Sequence, residues 1–200
     1  GGGFGAADTT VLVNTAAGVL QVDGSLQIDN HYGVVDFSAG SVNIAGGQTL
    51  GMFGLGPNLP TWDSKVRLGG ANLGASRGTL DMRAGNGLVL TSDLINDPAN
   101  GVTLTLSGSN TVSAATGGEA LINRGTLALA GDTIDAPLNN QGTLIVPSTL
   151  TTDANGSFYT GSLAQILGSF TTSGGSVIQV QPGSSLGIGK AFTNNGLIEL

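Results

Sequence analysis

Few residues in this sequence carry chemistry of their own. His31 is the sole histidine, flanked by Asp29 and Asp36, and with no cysteine anywhere this set falls short of a zinc site. It reads better as a turn, Asp29-Asn30-His31-Tyr32-Gly33. A serine triad would need His31 paired with a distant serine and acid, and no Gly-x-Ser-x-Gly elbow appears between a strand and a helix. The densest polar patch is Asp63-Ser64-Lys65-Val66-Arg67, followed by Arg77, Asp81 and Arg83, so four of the 6 basic residues fall between 65 and 83. In extended backbone 63, 65 and 67 share one face, as do 81 and 83, while Val66 turns inward. Stacked one above the other, the two sets would resemble a polysaccharide-processing cleft, with acids to protonate a glycosidic oxygen and Arg or Lys to neutralise a uronate. The same pattern also describes a solvated strand face crossed by ion pairs worth about 0–1 kcal/mol each. No catalytic, metal or cofactor residue is assigned on this basis.

Residues 51–64, just before this patch, form the clearest interruption of the sequence pattern. The segment holds the only tryptophan, Trp62, with Pro57 and Pro60, and lacks strand alternation, so it is expected to leave the fold as a loop. Exposed beside Lys65 and Arg67, Trp62 could stack on a sugar, giving a speculative glycan-binding patch of Trp62, Lys65, Arg67 and Arg83. Alternatively, Met52, Phe53, Leu55 and Trp62 fold back as an apolar lid. Calcium has no dedicated motif: the Gly-Gly-x-Gly-x-Asp nonapeptide is missing, and Asp93, Asn96 and Asp97, or Asp132 and Asp135, would form at most a casual site.

The elements that must position these side chains announce themselves by repetition. Gly, a small or β-branched residue, then two apolar residues flanking a variable one, recurs as Gly18-Val-Leu-Gln-Val22, Gly24-Ser-Leu-Gln-Ile28, Gly40-Ser-Val-Asn-Ile44, Gly78-Thr-Leu-Asp-Met82, Gly125-Thr-Leu-Ala-Leu129, Gly142-Thr-Leu-Ile-Val146 and, loosely, Gly196-Leu-Ile-Glu-Leu200. Each copy predicts one short strand after a turn. Gly125 and Gly142 stand 17 residues apart, and the 54 residues from Gly142 to Gly196 suggest three further intervals, with turns near Gly161 and Gly175. A recurrence of this length suits one coil of a parallel β-helix, in which no coil buries its apolar face alone. The expected fold is therefore all-β, a single β-solenoid domain over 1–200 with roughly ten coils.

Composition agrees. Glycine supplies 35 of 200 residues, charged residues only 10% and aromatics 4%, which favours turns and stacking over disorder or long helices. The one helical candidate, 162–167, is too short to matter. Asparagines at 123, 139, 140, 194 and 195 are expected in turns or as ladder formers inside corners. A formal charge of −7 repels phosphate backbones, so nucleic acid is not an expected partner. No run of about eighteen apolar residues offers a membrane-spanning helix. Without cysteine the fold has no disulfide support.

One segment carries a family resemblance. Leu104-Thr-Leu-Ser-Gly-Ser-Asn-Thr111, then Gly117-Gly118, then Asn123-Arg-Gly-Thr-Leu-Ala-Leu129, resembles the autotransporter-associated β-strand repeat, with Val112 where that repeat favours tyrosine and Glu119 where it favours threonine. Asn140-Gln-Gly-Thr-Leu144 and Asn194-Asn-Gly-Leu-Ile198 are similar to the same family and to the wider filamentous-haemagglutinin-like group. The resemblance implies a right-handed parallel β-helix, exported to the bacterial cell surface or beyond as a passenger, adhesin or fibre. Its partners would be a host or neighbouring-cell surface, a glycan, or a second copy of itself. The expected function is a non-enzymatic extracellular structural or adhesive module. The first alternative is a filament subunit joined end to end by strand pairing, with the sequence taken as an excerpt or a stacking unit. A polysaccharide-binding or polysaccharide-degrading β-helix protein is the third.

Overall fold

The computed structural model describes residues 9–30, 33–54, 64–83, 85–153 and 156–200. The described part is all-β with parallel sheets, and its only helical element is a short 3-10 turn at Gly70–Leu73. The backbone visits three faces in rotation. The first circuit is β1 (Thr9–Val13), β2 (Val19–Val22) and β3 (Leu26–Asp29), and the second is β4 (Gly33–Asp36), β5 (Ser41–Ile44) and β6 (Thr49–Phe53). The third is β7 (Lys65–Leu68), the 3-10 turn and β8 (Thr79–Arg83); the fourth is β9 (Gly87–Leu90), β10 (Leu94–Asn96) and β11 (Thr103–Ser107). Next come β12 (Thr111–Ala114), β13 (Leu121–Asn123) and β14 (Thr126–Ala128), then β15 (Thr133–Ile134), β16 (Leu138–Asn140) and β17 (Thr143–Val146). A hairpin, β18 (Ser148–Asp153) and β19 (Gly156–Gly161), precedes the last two circuits. These are β20 (Leu163–Ile166), β21 (Phe170–Thr172) and β22 (Val177–Val180), followed by β23 (Ser185–Ile188), β24 (Phe192–Thr193) and β25 (Leu197–Glu199).

The pairing makes this rotation a stack. The first face is one 8-stranded parallel sheet, β1-β4-β7-β9-β12-β15-β20-β23. On the second face β2 pairs with β5 and β10 through β24 form a 5-stranded sheet, with the 3-10 turn packed between β5 and β10. The third face holds β3-β6-β8-β11 and then β14-β17-β22-β25. This connectivity is consistent with a β-solenoid, about 35 Å long at the usual strand spacing of about 4.8 Å.

Why these strands stack follows from their alternation. Residues of one parity point inward and meet their counterparts in register: Leu50, Leu80 and Leu104, then Met52, Met82 and Leu106, fall one above another on the third face and are at most 5% exposed. Val66, Leu88 and Val112 do the same on the first face, all at 0%. Each strand buries a stripe too narrow to make a core, and the stack merges those stripes into one apolar column. Near its end Phe170 stacks on Phe192 with centroids 5.2 Å apart.

Each Gly-led phrase does open a strand, but on two different faces: Gly18 and Gly40 precede β2 and β5, whereas Gly78, Gly125, Gly142 and Gly196 precede third-face strands. The 17-residue spacing is real pairing, since Leu127 sits on Leu144. Gly142 requires its lack of a side chain here, because a Cβ would lie 2.2 Å from the Gly125 carbonyl oxygen.

Several expectations change. Gly142 to Gly196 spans two steps of the ladder, Leu144 to Ile178 to Ile198, because the antiparallel hairpin β18–β19 uses up a circuit's length, and Gly161 closes that hairpin. The longest ladder among the described residues accordingly holds eight strands, where spacing suggested about ten. Residues 163–166, inside the helical candidate, are strand β20. The expected loop over 51–64 does not begin at 51: Gly51–Phe53 complete β6, and Met52 is in the core at 0% exposure, not in a lid. Leu55 and Trp62 lie outside the described residues, as do His31 and Asp63.

Candidate functional site

The charged residues between 65 and 83 do not converge. Lys65 and Arg67 are on β7 in the first face, whereas Asp81 and Arg83 are on β8 in the third. Stacking of the two sets about one coil apart, which the cleft reading requires, does not occur. In fact the backbone turns through the second face between them, which puts β7 and β8 in the same circuit on different sides.

On the first face Val66 points inward, as its place in the alternation requires, and Lys65 and Arg67 face out. Arg67 aligns with Asp36 of β4, and its Nε stands 3.4 Å from Asp36 Oδ2. Asp36 Oδ1 also accepts the Ser38 backbone N–H at 2.9 Å and the Ser38 hydroxyl at 2.5 Å. The guanidinium group is half exposed, so this pair adds little to stability.

The third face carries a tighter group. Both Nε and Nη2 of Arg83 reach Asp81 Oδ2, the Thr105 hydroxyl donates to Asp81 Oδ1 at 2.7 Å, and Arg83 lies over the Phe53 ring at 5.0 Å. These contacts join three adjacent strands, because Phe53 aligns with Arg83 and Asp81 with Thr105. The Asp81 side chain is only 8% exposed although it points away from the core, and Arg83 is 48% exposed. With both of its carboxylate oxygens occupied, Asp81 anchors Arg83. The exposed side of Arg83 can still donate to a ligand's hydroxyl or anionic oxygen. The structure thus divides the expected glycan patch: Arg83 belongs to a third-face ridge with Asp81, Thr105 and Phe53, Lys65 and Arg67 lie on the first face, and Trp62 is outside the described residues.

The casual calcium set is also dispersed. Asn96 is fully buried in the column, Asp93 accepts the Ala120 N–H at 2.8 Å, and Asp97 caps the turn at Ala99 and Asn100. Asp132 is buried and Asp135 exposed. Among the described residues no group of three or more histidine, cysteine, aspartate or glutamate side chains could hold a metal.

Two polar ladders in the interior take up most of the buried asparagines. Asn96 Nδ2 donates to Asn123 Oδ1 at 2.8 Å and Asn123 Nδ2 to Asn140 Oδ1 at 2.7 Å, after which Thr172 takes the next position. At another corner Asn30 and Asn86 exchange amide hydrogen bonds, Asn110 Oδ1 accepts the Asn86 N–H, and Asp132 accepts both the backbone N–H and the carboxamide Nδ2 of Asn110. Burial raises the Asp132 carboxyl above its ordinary value, opposed by those bonds and by the Ala130 N–H. Glu119, half-buried, has the opposite environment: the Thr116 hydroxyl and the Thr116, Glu119 and Gly118 N–H groups hold its pKa at about 2. The sequence carries a trace of the first ladder in the repeated Leu-Ile-Asn of 94–96 and 121–123. Asp132 has no such signal.

The last circuit presents a different surface. Leu186, Ile188, Phe192, Ile198 and Leu200 line an apolar concavity of about 320 Å³. Equivalent inward positions in the middle circuits are closed off by the next strand.

Comparison with known protein families, with curated proteins and with solved structures finds no match to this protein.

Proposed function

We propose that this protein is a rod segment of a bacterial extracellular protein, a right-handed parallel β-helix of the kind that the autotransporter-associated repeat builds, serving as a non-enzymatic structural or adhesive module. The observation that carries this reading is in-register stacking of like residues: Leu121 on Leu138, Asn123 on Asn140, Thr126 on Thr143 and Leu127 on Leu144. Such stacking sums stability over interfaces between circuits and makes a stiff spacer. The resemblance at 104–129 supplies the bacterial surface. The Arg83 ridge supplies a place where a glycan on a host or neighbouring cell would hydrogen-bond.

Antibody labelling of intact cells that make the protein tests the location. Labelling before lysis supports the proposal, and labelling only after lysis overturns it. Glycan binding is checked separately with Arg83→Ala, which should weaken retention on any glycan surface that holds the wild type.

A further inference from the structure

The sequence contains four Asn-Gly pairs, at 86–87, 100–101, 155–156 and 195–196. Asn-Gly is the dipeptide in which the following backbone nitrogen most readily attacks the asparagine carboxamide, since glycine places no Cβ in its path. The structure holds the three described asparagines very differently; Asn155 is outside the described residues.

Asn86 is 0% exposed, and both its amide nitrogen and oxygen are tied to Asn30. Asn195 is exposed but clamped: its N–H donates to Thr172 Oγ1 at 2.8 Å, its Nδ2 to the Thr172 carbonyl at 3.0 Å, and the Gly196 N–H to Thr172 Oγ1 at 3.2 Å. Asn100 is exposed, and its carboxamide reaches only the Asp97 carboxylate, at 3.4 Å to each oxygen. One strong bond opposes reaction there, Gly101 N–H to the Asp97 carbonyl at 2.7 Å, within a surface turn whose local opening costs little.

We propose that Asn100 is a self-modification site, which converts to aspartate and isoaspartate ahead of Asn86 and Asn195. The Gly101 nitrogen, losing its proton, bonds to Asn100 Cγ; the Cγ–Nδ2 bond breaks and ammonia leaves, giving a succinimide. Water then opens either carbonyl of the ring. The net change is one water taken up and one ammonia released, with no oxidant or other co-reactant. The product is a new carboxyl group beside Asp97, whose Oδ2 lies 3.8 Å from Arg124 Nη1 in the next circuit. The new negative charge sits against the Asp97 carboxylate, and the Nδ2 contacts that helped close the turn are lost. The site acts as a slow charge switch at the corner between β10 and β11 of the fourth circuit.

The test is peptide mass spectrometry of the full-length protein incubated at mildly alkaline pH, scored for a gain of about one mass unit and for isoaspartate at each asparagine. Gly101→Ala is the control, since a Cβ there meets its nearest atom at an ordinary 3.6 Å and the backbone is not left-handed. Conversion at Asn100 before Asn86 and Asn195, and clearly slower in Gly101→Ala, supports the proposal. Conversion at Asn195 first, no conversion at Asn100, or a rate at Asn100 unchanged by Gly101→Ala overturns it.

Discussion

Asn123 Nδ2 donates to Asn140 Oδ1 at 2.7 Å, one circuit further along the stack, and the same nitrogen also donates to the Thr143 carbonyl at 2.9 Å. Asn123 Oδ1 in turn accepts from Asn96, so one buried side chain satisfies groups in the circuits on both sides. Asn123→Ala leaves those partners short of hydrogen bonds in the column, and a loss of about 3 kcal/mol is expected. Asn139→Ala, one residue from the next ladder member but facing out of β16, should cost under about 0.5 kcal/mol. Denaturant unfolding of the two variants checks the contrast, and equal losses would show that the ladder adds nothing.

Asp132 ends the other ladder with a carboxyl group whose folded pKa is raised by burial. A raised pKa means that the folded protein binds this proton more readily than the unfolded one. Its contribution to stability is therefore full at pH below the ordinary carboxyl value and declines as pH rises through the raised one. Relative to Asp132→Asn, the wild type should gain melting temperature as pH falls from 7 towards about 4. Parallel melting curves across that range would disprove the assignment.

Gly142→Ala places a Cβ against the Gly125 carbonyl oxygen and the Arg124 backbone, where the closest gap is 2.2 Å. The two circuits must separate locally, and a loss of about 2 kcal/mol or more is expected. Gly118→Ala is the matched control, since nothing lies within 4 Å of its Cβ position. Thermal melts of the pair decide whether close approach of the circuits limits stability.

The hairpin β18–β19 pairs only with itself among the described strands, and its base is fastened by Ser184, whose hydroxyl donates to the Pro147 carbonyl and accepts the Ser162 N–H. Residues 148–161 are thus an addition to the stack and not a level of it. Replacing them with a short glycine-serine link should preserve the β-sheet circular dichroism spectrum and change stability by less than about 2 kcal/mol. Unfolding of the shortened protein would instead make the hairpin part of the core.

The sequence alone determined the strand character, the inward and outward parity and the need to stack, because a residue's side in a strand depends only on counting by two. Val66 inward with Lys65 and Arg67 outward is the clearest instance, and the spacing of Gly125 and Gly142 named a true pair of neighbouring strands. Which strand lies on which was decided only in three dimensions. That depends on how many residues each corner consumes: the nine positions between Gly54 and Ser64 and the fourteen from Ser148 to Gly161 shift every later count. The same effect separated Lys65 and Arg67 from Asp81 and Arg83, since two corners intervene. The buried state of Asp81 and Asp132 was likewise invisible, because burial of an aspartate is set by neighbours drawn from distant circuits and leaves no pattern in its own segment.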